Sequence, residues 1–188
     1  MIDRRDALKM LSAAALAASP TARAKPLGRP RGVSEVFETH DALGMAALVR
    51  RGEVSATELL EEALRRADAT AGTVNAVVLR HDALAREQLR ALPAGAPFAG
   101  VPFLLKDLGV ELSGTVTTSG SRFFRDARAE ADSEVVRRYK RAGLVIFGKT
   151  HSPELGLTGT AESALHGATR NPWDLGRIVG GSSGGAPC

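Results

Sequence analysis

The chain has 188 residues, 44% of them hydrophobic, enough for one modest domain with its own core. Its formal net charge is +4 and only 4% of residues are aromatic; no Lys/Arg block sits among aromatics, which argues against a nucleic-acid platform. The single cysteine, Cys188, stands at the end, so a disulfide framework and a cysteine-based metal site are excluded within the chain.

Asp3–Lys9 reads DRRDALK, and the paired arginines followed by Leu8 and Lys9 resemble a twin-arginine export signal, with Ala7 where a Phe is usual. Met10–Ala18 is uncharged, rich in alanine and too short for a membrane span. Ala22-Arg23-Ala24 then offers a small-residue cleavage site, with Lys25 as the first mature residue. Charge, apolar run and cleavage site occur in the order of a signal peptide. Residues 1–24 are therefore expected to engage the twin-arginine export machinery. The mature protein is expected to be periplasmic or secreted, without a stable membrane anchor once the signal is cleaved.

Residues 25–40 read as a linker or N-terminal extension, rich at first in Pro, Gly and Arg. Asp41 caps a short helix to about Arg51, and Gly52 breaks it. Ser55-Ala-Thr-Glu58 has the form of a capping box, opening a helix to about Ala69 with Leu59, Leu60, Ala63, Leu64 and Ala67 as its apolar stripe. Val74–Leu79 is a strand candidate, His81–Leu92 is helical in pattern, and Pro93–Pro97 turns the chain. Gly100–Leu105 reads as a buried strand entering Lys106. Gly114–Ser121 is a Gly/Ser/Thr loop. Asp132 or Ser133 caps a helix to Ala142 that stops at Gly143, and Leu144–Phe147 is a short apolar strand. The alternation predicts an α/β fold with a mixed β-sheet core flanked by helices. From Lys149 to Gly185 the chain is dense in Gly, Ser, Thr, Asn and Pro, and an irregular stretch of that length usually has functional duty.

Three features carry chemistry. Lys106 closes an apolar strand, where burial disfavours the ammonium, and a neutral amine is a competent general base; a lysine there can equally carry its head out to water. Gly180-Gly-Ser-Ser-Gly-Gly185 holds two serines among glycines that allow close backbone approach, though by composition it also reads as a flexible linker. Ala168–Asp174 leads into that loop as a scaffold, with Trp173 expected to pack it onto the core.

Other patterns compete for the same residues. Gly143–Thr150 has the letters of a phosphate-binding loop, but Leu144–Phe147 is strand-forming where the backbone should curl round phosphate, so nucleotide binding is not expected. Gly180–Gly184 fits the nucleophile elbow of α/β-hydrolases, which would make Ser182 the nucleophile of an esterase and leave Lys106 without a role. His40, His81, His151 and His166 show no metal-binding spacing, and His151 is read as a structural hydrogen-bonding residue.

Taken in order, Gly100-Val-Pro-Phe-Leu-Leu-Lys-Asp107, Gly114–Ser121, Gly148-Lys-Thr-His-Ser-Pro-Glu154, Arg170-Asn-Pro-Trp-Asp174 and Gly180–Gly185 resemble the amidase-signature family over roughly residues 40–185. The resemblance implies amide hydrolysis through a Ser–cisSer–Lys relay, acting on a small-molecule amide with no metal and no organic cofactor. Lys106 would be the base and Ser182 the bridging serine, held through a cis peptide in the glycine-rich loop. Gly180, Gly181, Ser183 and Gly184 would support the loop. The nucleophilic serine belongs to a later segment that is absent from this chain, so residues 41–188 are expected to be the N-terminal part of an amidase domain, inactive alone. The A subunit of a tRNA-dependent amidotransferase shares these motifs but works in the cytoplasm, which the export signal opposes. A non-functional remnant is the other alternative.

Overall fold

The computed structural model describes residues 32–186. The signal expected at 1–24, residues 25–31 of the expected linker, and Cys188 lie outside the described residues.

Local signals start two of the helices. Asp41 accepts a hydrogen bond from the Gly44 amide at 2.7 Å and opens α2 (Ala42–Arg50), after a short α1 (Val33–Thr39). Ser55 Oγ accepts from the Glu58 amide at 3.1 Å, and Glu58 accepts from the Ser55 amide at 2.8 Å, so the capping box is complete at the head of α3 (Ala56–Ala71). Two of the amides that a helix start leaves unpaired are satisfied reciprocally.

The apolar stripe of α3 divides between two clusters. Leu59 packs with Val36, Leu48 and Val54, joining the first three helices. Leu60, Ala63, Leu64 and Ala67 pack with Ala85, Val145 and Phe147, joining α3 to the sheet. Each fully buried leucine contributes roughly 1.5–3 kcal/mol. The burial of Val36 also explains α1, which lies in the stretch read as a linker. Its N-cap Gly32 makes no side-chain cap. It is held by Val36 in the core and by Arg66, which reaches Glu38 at 2.7 Å and lies over the Phe37 ring.

The sheet contains β1 (Val77–Arg80), β2 (Pro102–Lys106) and β3 (Val145–Thr150), in the order β1-β3-β2. β3 runs antiparallel to β1 and parallel to β2, so the sheet is mixed. α4 (Asp82–Gln88) follows β1, and α5 (Glu134–Arg141) precedes β3. Every residue of β3 is buried. Val145 and Phe147 join the α3 cluster, while Ile146 joins Leu105, Leu112 and Val136 in another. β3 is longer than the four-residue apolar run and takes in Gly148, Lys149 and Thr150. Gly148 pairs with Leu104 on one side and Arg80 on the other, so the backbone that would have to cradle phosphate is committed to the ladder. Among the described residues β2 has one neighbour and lies at the edge.

Beyond β3 come two small hairpins, β4 (Glu162–Ser163) with β5 (Gly167–Ala168), and β6 (Arg170–Asn171) with β7 (Asp174–Ile178). Trp173 sits in the second hairpin's turn and is 93% exposed, contrary to the expectation that it packs on the core. Its amide donates to Asn171 Oδ1 at 3.0 Å, so a local turn fixes its backbone and its ring points outward. Among the described residues no helix is long and apolar enough to cross a membrane.

Candidate active site

Lys106 is the last residue of β2, opposite Thr150 of β3, and is half-buried. Its Nζ donates to Ser182 Oγ at 2.8 Å. Ser182 stands in the loop after β7, and segment 159–161 of the neighbouring connection fixes that loop. Gly180 bridges to Thr160, and the Gly181 amide donates to the Gly159 carbonyl at 2.8 Å. The Gly181–Ser182 peptide is cis. A Cβ at Gly181 would fall 2.3 Å from the Thr160 carbonyl oxygen, and one at Gly184 would fall 2.0 Å from Ala161 Cβ. Neither position has room for a side chain. Gly180 and Ser183 lie on the exposed side of the loop; the Ser183 carbonyl accepts from the Ala186 amide at 3.0 Å.

Behind this pair lies a polar network that motif reading missed. Asp107, next to the base candidate, is fully buried. Its carboxylate accepts from the Thr118 amide at 2.8 Å, from the Thr118 hydroxyl, and from the Gly120 amide at 3.4 Å. Burial works against the charge on Asp107, but the His166 ring beside it and the hydrogen bonds from Thr118 and Gly120 outweigh it and hold the carboxyl below its ordinary range. His166 Nε2 stands 3.0 Å from Thr118 Oγ1 and 3.8 Å from Asp107 Oδ2. Since the Thr118 hydroxyl gives its proton to Asp107, it must accept from His166, which places a proton on Nε2.

The same reasoning assigns His151, which is fully buried. Thr169 donates its hydroxyl proton to the Asn75 carbonyl at 2.8 Å, so its Oγ accepts from His151 Nδ1 at 2.8 Å. His151 Nε2 then accepts from Ser163 Oγ at 3.1 Å. Burial, with the His166 ring beside it, pushes His151 down to about 4. The structural role read for His151 is therefore a definite one, fastening the end of β3 to the β4–β5 hairpin.

Among the described residues the fully buried lysine is Lys149, not Lys106. It donates to the Val110 carbonyl at 3.3 Å and to the Thr117 hydroxyl. Burial pushes it down to about 8, with Asp107 and Glu111 pulling the other way. Desolvation was expected at the strand-end lysine; the central strand buries its lysine more deeply because both of its edges are paired. Among the described residues no group of three or more His, Cys, Asp and Glu side chains could hold a metal ion.

The family described as Amidase matches residues 58–187. This chain belongs to the Amidase family. Within that family it is 46% identical over 156 residues to a 6-aminohexanoate-cyclic-dimer hydrolase of Paenarthrobacter ureafaciens, an alignment covering 82% of this chain and 31% of the relative. It is 40% identical over 165 residues to a lipoamidase of Enterococcus faecalis, covering 85% of this chain and 23% of that one. A solved structure of 6-aminohexanoate cyclic dimer hydrolase complexed with substrate superposes with a TM-score of 0.74 at 46% identity, over 78% of this chain and 30% of the other. The α/β fold with its mixed sheet is therefore the amidase-signature fold in part, and the chain spans about a third or less of the length of these curated relatives.

Proposed function

We propose that this chain supplies the base and the bridging hydroxyl of an amidase, with Lys106 as base and Ser182 as bridge. The observation that carries the reading is the 2.8 Å contact between Lys106 Nζ and Ser182 Oγ. With the amine neutral, the Ser182 hydroxyl proton points at Nζ, and Ser182 Oγ is free to take a proton from an attacking serine. That serine, which the relay draws from another segment, adds to the carbonyl carbon of an amide. Its proton moves to Ser182 as the proton of Ser182 moves to Lys106. Return along the same path protonates the leaving nitrogen, the C–N bond breaks, and an acyl-enzyme remains for water to hydrolyse. The substrate class is a small-molecule carboxamide. We further propose export through the twin-arginine route, with the mature protein in the periplasm or secreted.

Two features support the base–bridge reading over an esterase elbow. β7 is a solvent-facing hairpin strand, whereas an elbow needs a buried strand to hold its serine at the top of a sheet. The elbow also leaves unused the lysine that touches Ser182. The test is a chimera in which residues 32–186 replace the aligned segment of the Paenarthrobacter hydrolase. We expect amide hydrolysis, reduced on the order of a thousandfold or more by Lys106→Ala and by Ser182→Ala separately. A folded chimera that keeps its rate when either residue is removed sinks the proposal. The chain alone is expected to leave Ser182 unlabelled by a serine-directed phosphonate, since a bridging serine is not the attacking group.

A further inference from the structure

Lys106 and Ser182 are 76 residues apart in sequence and meet through one hydrogen bond at the end of a four-torsion side chain. Such a contact does not set its own length. The separation is fixed by the two backbone frames that carry the residues, and each frame has identifiable anchors.

The frame of Lys106 is fastened at the next residue. The Asp107 amide donates to the Thr150 carbonyl at 2.9 Å, the Asp107 carbonyl accepts from Ser152 Oγ at 3.0 Å, and the Asp107 carboxylate collects residues 118–120. The frame of Ser182 is fastened to segment 159–169. Gly181 bonds to Gly159, the Val179 amide donates to the Thr169 carbonyl at 3.0 Å, and the Thr169 amide donates to the Ala161 carbonyl at 2.9 Å.

Three side chains join the two frames: His151, Arg122, which donates to the Ala164 carbonyl at 2.9 Å and 3.2 Å, and His166. His166 belongs to the hairpin connection: its amide donates to Ser163 Oγ at 3.0 Å, and its carbonyl accepts from Asn75 Nδ2 at 2.7 Å. Its ring crosses to the other frame, with Nε2 donating to Thr118 Oγ1 beside the Asp107 carboxylate. His151 ties the same hairpin to β3, a strand away from the base. Of the three, only His166 bonds the Thr118 hydroxyl, which itself donates to the Asp107 carboxylate next to Lys106.

We propose that His166 is a positioning residue that keeps Lys106 and Ser182 in register, acting through Thr118 and Asp107. It touches no reacting atom. The inference rests on the base–bridge reading and adds a residue that the motifs do not contain.

The test uses lysine side-chain NMR on the whole 188-residue chain. There are five lysines, Lys9, Lys25, Lys106, Lys140 and Lys149, so each 13Cε-labelled signal can be assigned by substitution. In the unaltered chain, Ser182→Ala should shift the Lys106 signal, and that shift measures the contact. In a His166→Phe background we expect the Ser182-dependent shift to fall by at least half, with Lys140 and Lys149 unmoved. His166→Gln, which keeps a donor in reach of Thr118, should restore it. Thr118→Val removes the acceptor from the other side and should repeat the loss, and it carries the test should His166→Phe fail to fold. Persistence of the full shift in both His166→Phe and Thr118→Val overturns the role of His166 and leaves the base–bridge reading standing. Absence of any Ser182-dependent shift in the unaltered chain overturns the base–bridge reading, and this inference with it.

Discussion

His151 is held as a neutral ring by its neighbours. Nδ1 gives its proton to Thr169 and Nε2 receives one from Ser163, so a second ring proton would have to break the bond to Ser163. Its folded value of about 4 lies below the ordinary 6.5, so protons bind the unfolded chain more readily. The stability that follows is fully present above pH 6.5 and is lost as the pH falls through 4. Between pH 7 and pH 5 this amounts to about 2 kcal/mol. Glu62 and Glu134 are held near 2 by their arginine partners, so their titration adds little in that interval. Burial pushes His81 down as well, so urea unfolding at the two pH values should show the loss, His151→Gln should remove part of it, and His151→Gln with His81→Gln most of it. A variant with an unchanged pH slope would show that another group is responsible. Lys106 and Ser182 were legible in the sequence because each stands in a local motif with the right composition. Asp107, Thr118 and His166 were not, and His151 was read only as a structural residue without its partners, because their hydrogen bonds join residues 11 to 48 positions apart.

At the scale of elements, what could be read locally was read well. The Asp41 cap, the Ser55–Glu58 box and the stop at Gly143 involve neighbours in sequence, and the structure has all three helices close to their expected bounds. α1 and the hairpins β4–β7 were not legible. α1 has no capping side chain and is held by Val36 and Arg66, while strands of two residues carry no periodicity at all. The size of Trp173 argued for burial, yet its turn carries it into solvent. The glycine-rich loop can be tested at this scale. Gly184→Ala drives a methyl group to 2.0 Å from Ala161 Cβ and 2.9 Å from the Gly180 carbonyl oxygen. An overpacking cost of about 1–3 kcal/mol is expected, with displacement of the Ser182 loop. Gly180→Ala has nothing within 4 Å of the new Cβ and should stay within about 0.5 kcal/mol of the unaltered chain. Equal destabilisation by the two substitutions in a thermal melt would contradict this packing.

For the molecule as a whole, family and fold stand on the match over residues 58–187, whereas the proposed export rests on Arg4 and Arg5. Replacing both by lysine should leave the protein in the cytoplasm, as fractionation would show; continued export would refute the twin-arginine assignment. The position of β2 at the margin of the sheet has a further result. Val101 and Asp107 bond to β3, so by alternation Leu104 turns its amide and carbonyl to the side with no strand alongside among the described residues, and such groups are a template for another polypeptide. Pro102 blunts only its first position. Since Lys106 ends the same strand, any segment that pairs with β2 arrives beside the amine.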